Sequence, residues 1–93
     1  MRKKFIAGNW KMNNGPKETS EFLHKFGEEL KAAPEVTKAI ADKKMEVAFF
    51  VPAVSLLTAV ETAKDLPIVI GAQNTHWEKS GAFTGETSVP MIN

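Results

Sequence analysis

Residues that could bind or activate a small anion follow a short apolar run near the start of the chain. In "FIAGNWKMNNG", residues 5–15, the run stops at Gly8 and is followed by Asn9 and Lys11. Since side chains alternate along a strand, a continued extended backbone would place Asn9 and Lys11 on the same side. A lysine partly shielded from water there would be a strong partner for a phosphate or a developing oxyanion. A solvated loop lysine fits the pattern equally well, so both interpretations stay open.

A second polar stretch, "GAQNTHWEKSGAFTGE", covers residues 71–86. Its glycines permit tight turns, and Gln73 and Asn74 supply hydrogen-bonding groups. Long loops in compact domains are usually functional or bound to something. Trp77 and Phe83, with a polar rim around them, are typical of a protein contact. The alternative is a surface loop that packs only on itself.

Several other chemistries are excluded by residue type and spacing. The chain has no cysteine, which rules out disulfides, thiol catalysis and cysteine-ligated metals. His24 is expected at the surface and His76 could contact a ligand, but the two are too far apart in sequence to form a metal motif. Neither polar stretch has the spacing of a phosphate-binding loop or a dinucleotide fingerprint. The sequence therefore predicts no metal and no cofactor.

Three short apolar runs predict the strands that would position these residues. They cover residues 4–8, 46–51 and 67–71, and glycine or proline closes each one. Continuous rather than alternating apolarity is typical of strands buried on both faces, as in a parallel sheet.

Helical patterns lie between the predicted strands, over residues 17–33 and 55–64, with a shorter helix beginning at Pro34. The side chains expected to be buried are Phe22, Leu23, Phe26 and Leu30, then Val36, Ala39 and Ile40, then Leu56, Leu57, Ala59, Val60 and Ala63. Strands that alternate with helices imply right-handed βαβ units and a parallel sheet. The final "ETSVPMIN" looks like the opening of another helix. The predicted class is therefore α/β.

Composition and length predict one incomplete domain. A net charge of +1 over 93 residues gives no electrostatic reason to expect nucleic acid or an anionic membrane as a partner. No apolar run approaches the roughly 18 residues of a membrane span or forms a signal-peptide core, so we expect a cytoplasmic protein. Three parallel strands leave two open edges. We therefore expect residues 1–93 to be part of a longer protein, or to be completed by another chain.

Three motifs, "AGNWKMN", "GAQN" and "GAFTGE", occur in an order and at separations that resemble the triosephosphate isomerase family. The resemblance extends over essentially the whole chain, including "VPAVSLL" and "SVPMI". It implies a (β/α)8 TIM barrel, of which this chain would form the first three βα units. It also implies a homodimeric, cofactor-free enzyme of glycolysis and gluconeogenesis. That enzyme interconverts dihydroxyacetone phosphate and D-glyceraldehyde 3-phosphate through an enediolate.

The resemblance also implies roles for individual residues. Lys11 matches the family's catalytic lysine, which holds the substrate electrostatically, and Asn9 matches a substrate-binding asparagine. The loop that begins at Gln73 resembles one that inserts into the other subunit, where Thr84 would reach the partner's catalytic region. The implied dimer interface consists of Met12, Gln73, Asn74, Phe83, Thr84, Gly85 and Glu86. The intervening "THWEKS" has no residue-by-residue match.

The family's general base, a glutamate, and its electrophilic histidine match no residue of this chain. Because losing a general base alone costs about 10²–10⁴-fold in rate, we expect the 93 residues by themselves to be nearly inactive. The enzyme interpretation is favoured for the whole protein. The alternative is a non-catalytic fragment that acts as an assembly or complementation piece.

Overall fold

The computed structural model describes residues 2–93, which form a three-stranded sheet with helices. In chain order the elements are β1 (Lys4–Asn9), α1 (Pro16–Lys31), α2 (Pro34–Ala41), β2 (Met45–Val51), a single 3₁₀ turn (Ala53–Ser55), α3 (Leu56–Ala63), β3 (Val69–Ala72) and α4 (Val89–Ile92). Every predicted strand and helix is present. Proline stands in the first turn of α1, α2 and α4, where its missing N–H has no helical partner to lose.

The sheet is parallel throughout, in the order β1-β2-β3. Ala7 is paired with Ala48, and Phe50 is paired with Gly71. The carboxyl ends of all three strands therefore meet at one edge, which is where parallel α/β folds bind ligands. The predicted α/β class is confirmed.

The core lies between one face of the sheet and the helices. Val47, Phe49 and Val51 alternate along β2, so all three project into the same layer and are buried there with Leu23. Aromatic rings complete this layer: the Phe49 ring meets that of Phe26 edge-on, with a centroid separation of 5.0 Å. Residues of β2 are thus held rigidly between helices and neighbouring strands.

The outer strands β1 and β3 are more exposed than their continuous apolar runs indicate, and their open edges agree with the prediction of an incomplete sheet. Phe5 of β1 is 54% exposed and Val69 of β3 is 48% exposed, whereas Ala48 of β2 is buried. The reason is topological: β2 has a strand on each side, while β1 and β3 are each paired on one side only.

The predicted burial of Leu57 and Val60 is wrong. Leu57 is 71% exposed, because α3 buries instead the side that carries Ala59 and Ala63. Leu57 and Val60 line an open groove of about 340 Å³, shared with Met91 of α4. Within residues 2–93, no helix has the length and apolar character needed to cross a membrane.

Candidate functional site

The loop after β1 turns sharply instead of continuing the strand. Trp10 still donates its backbone N–H to the Phe50 carbonyl at 3.1 Å, but Lys11 has a φ of 52°. The Oδ1 of Asn9 accepts the Lys11 backbone N–H at 2.8 Å, which draws the chain out of the sheet. The expected strand-like alternation from Asn9 to Lys11 is therefore wrong, because the Asn9 side chain takes the place of a strand partner.

The far end of this loop is anchored by two buried hydroxyl groups. The carbonyl of Asn14, another residue with positive φ, accepts hydrogen bonds from Ser55 Oγ at 2.8 Å and Thr19 Oγ1 at 3.3 Å. Both Ser55 and Thr19 are fully buried. The loop is thus tied to the turn after β2 and to the first helix.

Gln73 joins the ends of all three strands. It directly follows β3, and its Nε2 faces three oxygens: the Lys11 carbonyl at 2.8 Å, the Phe50 carbonyl at 3.2 Å and Asn9 Oδ1 at 3.4 Å. All three groups are acceptors, so the amide must present its nitrogen to them. The sequence had indicated Gln73 as a hydrogen-bonding residue of the loop and as an interface residue, but it did not indicate this contact with Lys11.

The Lys11 amine is free to meet an anion. Lys11 is exposed at the carboxyl edge of the sheet. Within residues 2–93, Lys3 Nζ pairs with Glu46 Oε2 at 3.7 Å and His76 Nδ1 lies 3.3 Å from Glu86 Oε2, and neither contact involves Lys11. An unpaired cation on a fixed loop at this edge suits a small anionic ligand.

The long loop after β3 packs around His76. The His76 ring lies 4.2 Å from the Trp77 ring and 4.3 Å from the Phe83 ring, measured between centroids. Its backbone N–H also donates to the Thr87 carbonyl at 2.9 Å. The buried His76 side chain is therefore the residue around which the loop packs. No pattern in the sequence had indicated this role.

The other predicted interface residues lie at the surface. Met12 is 95% exposed, and Asn74, Thr84 and Gly85 are exposed as well. Trp77, which the sequence indicated as typical of a protein contact, is 84% exposed. Among residues 2–93, no group of three histidine, aspartate or glutamate side chains could hold a metal ion.

Comparison with known proteins agrees with this geometry. The family model described as "Triosephosphate isomerase" matches residues 4–93. The chain belongs to the triosephosphate isomerase family. Its three parallel βα units are consistent with the N-terminal part of the TIM barrel, and the resemblance seen in the sequence is confirmed.

Comparison with curated relatives shows what share of a family member's length this chain covers. The chain is 48% identical over 91 residues to the triosephosphate isomerase of Acetivibrio thermocellus. It is 47% identical over 91 residues to that of Streptococcus thermophilus (strain CNRZ 1066), and 44% identical to that of Streptococcus equi subsp. zooepidemicus. Each match covers 98% of this chain and 32% of the relative. The chain therefore spans about a third of the length of these relatives.

Proposed function

We propose that residues 1–93 supply the first three βα units of a triosephosphate isomerase. In the whole protein, the barrel would interconvert dihydroxyacetone phosphate and D-glyceraldehyde 3-phosphate, acting in the cytoplasm without a cofactor. The observation that carries the proposal is the placement of Lys11 at the carboxyl edge of the sheet, where the Asn9 and Gln73 side chains hold its backbone and its amine has no carboxylate partner within residues 2–93.

The negative charges of the substrate are complementary to the positive charge of the Lys11 amine. A triose phosphate carries a phosphate group, and its carbonyl oxygen gains negative charge as the enediolate forms. The Lys11 ammonium would attract the phosphate during binding and stabilise the developing oxyanion in the transition state. Because the loop backbone is fixed beforehand, little reorganisation accompanies this stabilisation.

Asn9 is suited to assist Lys11. Its Oδ1 already accepts hydrogen bonds from Lys11 and Gln73. Within residues 2–93, its Nδ2 donates to no protein acceptor, so that N–H group can donate to a substrate oxygen. Asn9 would therefore both shape the loop and bind substrate.

The dimer interface forms part of the proposal. Met12 and the loop that begins at Gln73 would meet a second subunit, with Asn74, Phe83, Thr84, Gly85 and Glu86 contributing. The high exposure of Met12 supports this assignment, since a large apolar side chain left in water favours burial on association.

A chimera tests the proposed activity. It joins residues 1–93 of this chain to the remaining two thirds of the Acetivibrio thermocellus relative, and isomerisation is followed with a coupled dehydrogenase. We expect a folded, active chimera and no activity from either part alone. A chimera that folds but does not isomerise triose phosphates would contradict the proposal.

The second candidate function is complementation without a covalent link. The exposed strands β1 and β3 favour it, because open edges and apolar surface can accept the rest of a barrel. Mixing the 93-residue chain with the separately produced remainder of the relative tests this function. Activity that appears only on mixing would support it, and activity of the chain alone would overturn our assignment of the missing catalytic groups.

A further inference from the structure

We infer that Gln73 is a positioning residue that sets the conformation of Lys11 for the reaction. The inference rests on the proposed function, since it gives Gln73 a kinetic role through the proposed catalytic lysine. It differs from the interface role that the family resemblance implies for this residue.

The backbone around Lys11 is held from both sides. The N–H on one side of its Cα donates to Asn9 Oδ1 at 2.8 Å, and the carbonyl on the other side accepts from Gln73 Nε2 at 2.8 Å. Fixing both peptide groups fixes both torsions at Lys11, and therefore the direction in which its side chain leaves the backbone.

The conformation held in this way is unfavourable for lysine. A φ of 52° lies in the left-handed region, which residues with a Cβ seldom adopt without compensating contacts. Without Gln73, the Asn9 contact and the turn bond from the Asn13 N–H to the Trp10 carbonyl at 3.1 Å would remain to oppose relaxation of Lys11 toward an ordinary loop conformation. Asn9 ends β1 and Asn13 lies in the loop, so both belong to Lys11's own segment of chain, whereas Gln73 follows β3 and ties that segment to a second strand.

Gln73 also links Lys11 to the central strand of the sheet. The same Nε2 lies 3.2 Å from the carbonyl of Phe50, a residue of the central strand. The position of the lysine is thereby tied to β2 and β3 as well as to its own strand. Catalysis is sensitive to such placement, since an error of about 1 Å can lower a rate by about 10²-fold.

The first test compares Gln73→Met with Thr37→Val in the chimera. Gln73→Met keeps the length of the side chain but removes the donor. Thr37→Val removes a side-chain hydrogen bond of 3.1 Å to the Leu30 carbonyl, far from the site. We expect kcat/KM to fall about 10- to 100-fold for Gln73→Met and to stay within twofold for Thr37→Val. The two variants should show similar, small losses in Tm.

Gln73→Glu supplies a second variant of nearly unchanged shape. It replaces the donor with a carboxylate oxygen that would face three other oxygens, so kcat/KM should fall at least as far as in Gln73→Met. A purely steric or packing role would leave Gln73→Glu close to the parent chimera. Near-parent kinetics in both Gln73 variants would overturn the inference and leave the proposed function intact.

The dependence on Lys11 is tested by a double-mutant cycle. If Gln73 acts through Lys11, adding Gln73→Met to Lys11→Met should not weaken binding of glycerol 3-phosphate further, as measured by calorimetry. This compound carries the phosphate but lacks the reacting carbonyl. Additive losses in affinity would show that Gln73 acts independently of Lys11, and would overturn the inference.

A structural readout separates this inference from the proposed function. In the unliganded chimera, Gln73→Met should accelerate hydrogen exchange of the Lys11 backbone amide at least tenfold, while amides of β2 keep their protection. Unchanged exchange at Lys11 would overturn the inference whether or not the chimera is active. An inactive chimera in which Gln73→Met still accelerates that exchange would overturn the proposed function and the kinetic role together.

Discussion

At the scale of single residues, the site depends on hydrogen bonds between positions far apart in the chain. Ser55 Oγ reaches the Asn14 carbonyl at 2.8 Å, and Gln73 reaches the Lys11 carbonyl at the same distance. The sequence predicted that Lys11 and Asn9 lie at the carboxyl end of a strand. It could not predict the partners, because these follow from which strands are neighbours and from how each loop leaves the sheet.

Ser55→Ala should destabilise the chimera by about 1 kcal/mol. The substitution removes the shorter of two hydrogen bonds to the Asn14 carbonyl and leaves Thr19 at 3.3 Å as its remaining side-chain donor. Urea denaturation measures the free energy of unfolding. Ser20→Ala is the control, since Ser20 lies within α1 and alanine favours a helix. Equal stability of the two variants would contradict the anchoring role of Ser55.

At the scale of elements, periodicity predicted where strands and helices form but not which apolar faces are covered. The run at residues 4–8 did form a strand, yet β1 is exposed because it lies at the edge of the sheet. Likewise, the side of α3 that was predicted to be buried was too broad, since Leu57 faces an open groove. Apolar spacing identifies an element, while burial depends on its neighbours.

Gly8→Ala should destabilise the packing of β1 against β2. A Cβ at Gly8 would lie 2.7 Å from Cδ1 of Phe49, whose ring is confined by Phe22 and Phe26. Such overpacking typically lowers the free energy of unfolding by about 1–3 kcal/mol. Thermal and urea unfolding of the chimera measure the effect.

Gly15→Ala is the matched control for that substitution. Its Cβ would come no closer than 3.5 Å to a neighbouring atom, and its φ of −68° suits alanine. We expect a loss of less than about 1 kcal/mol, because alanine restricts the unfolded chain but is a poorer residue than glycine at the N-cap of α1. If Gly8→Ala were tolerated as well as Gly15→Ala, the close packing of β1 on the Phe49 ring would be wrong.

At the scale of the whole molecule, residues 2–93 form a slab rather than a sphere. The principal extents are 47 × 34 × 20 Å and the radius of gyration is 14.7 Å. A compact chain of this length would have a radius of gyration of about 12 Å. From the strand count, the sequence predicted two open sheet edges, because three parallel strands cannot cover their own edges; the slab shape itself was not predicted.

The 93-residue chain by itself should therefore self-associate. Exposed apolar side chains such as Ile6, Leu57 and Met91 favour association in water. Sedimentation velocity over a range of concentrations should show a weight-average mass that rises with concentration, with broad thermal unfolding. A compact monomer with a single sharp unfolding transition would contradict the view that this part of the fold is incomplete.

The most direct test of the central claim is the steady-state kinetics of Lys11→Met in the chimera. Removing one preorganised group that stabilises a developing oxyanion typically costs about 10²–10³-fold in kcat, and here the same amine would also bind the phosphate. We therefore predict a loss in kcat/KM of at least 10³-fold. Lys25→Met, on the exposed surface of α1, should retain parent activity. Parent-like kinetics for Lys11→Met would contradict the assignment of Lys11 as the catalytic cation.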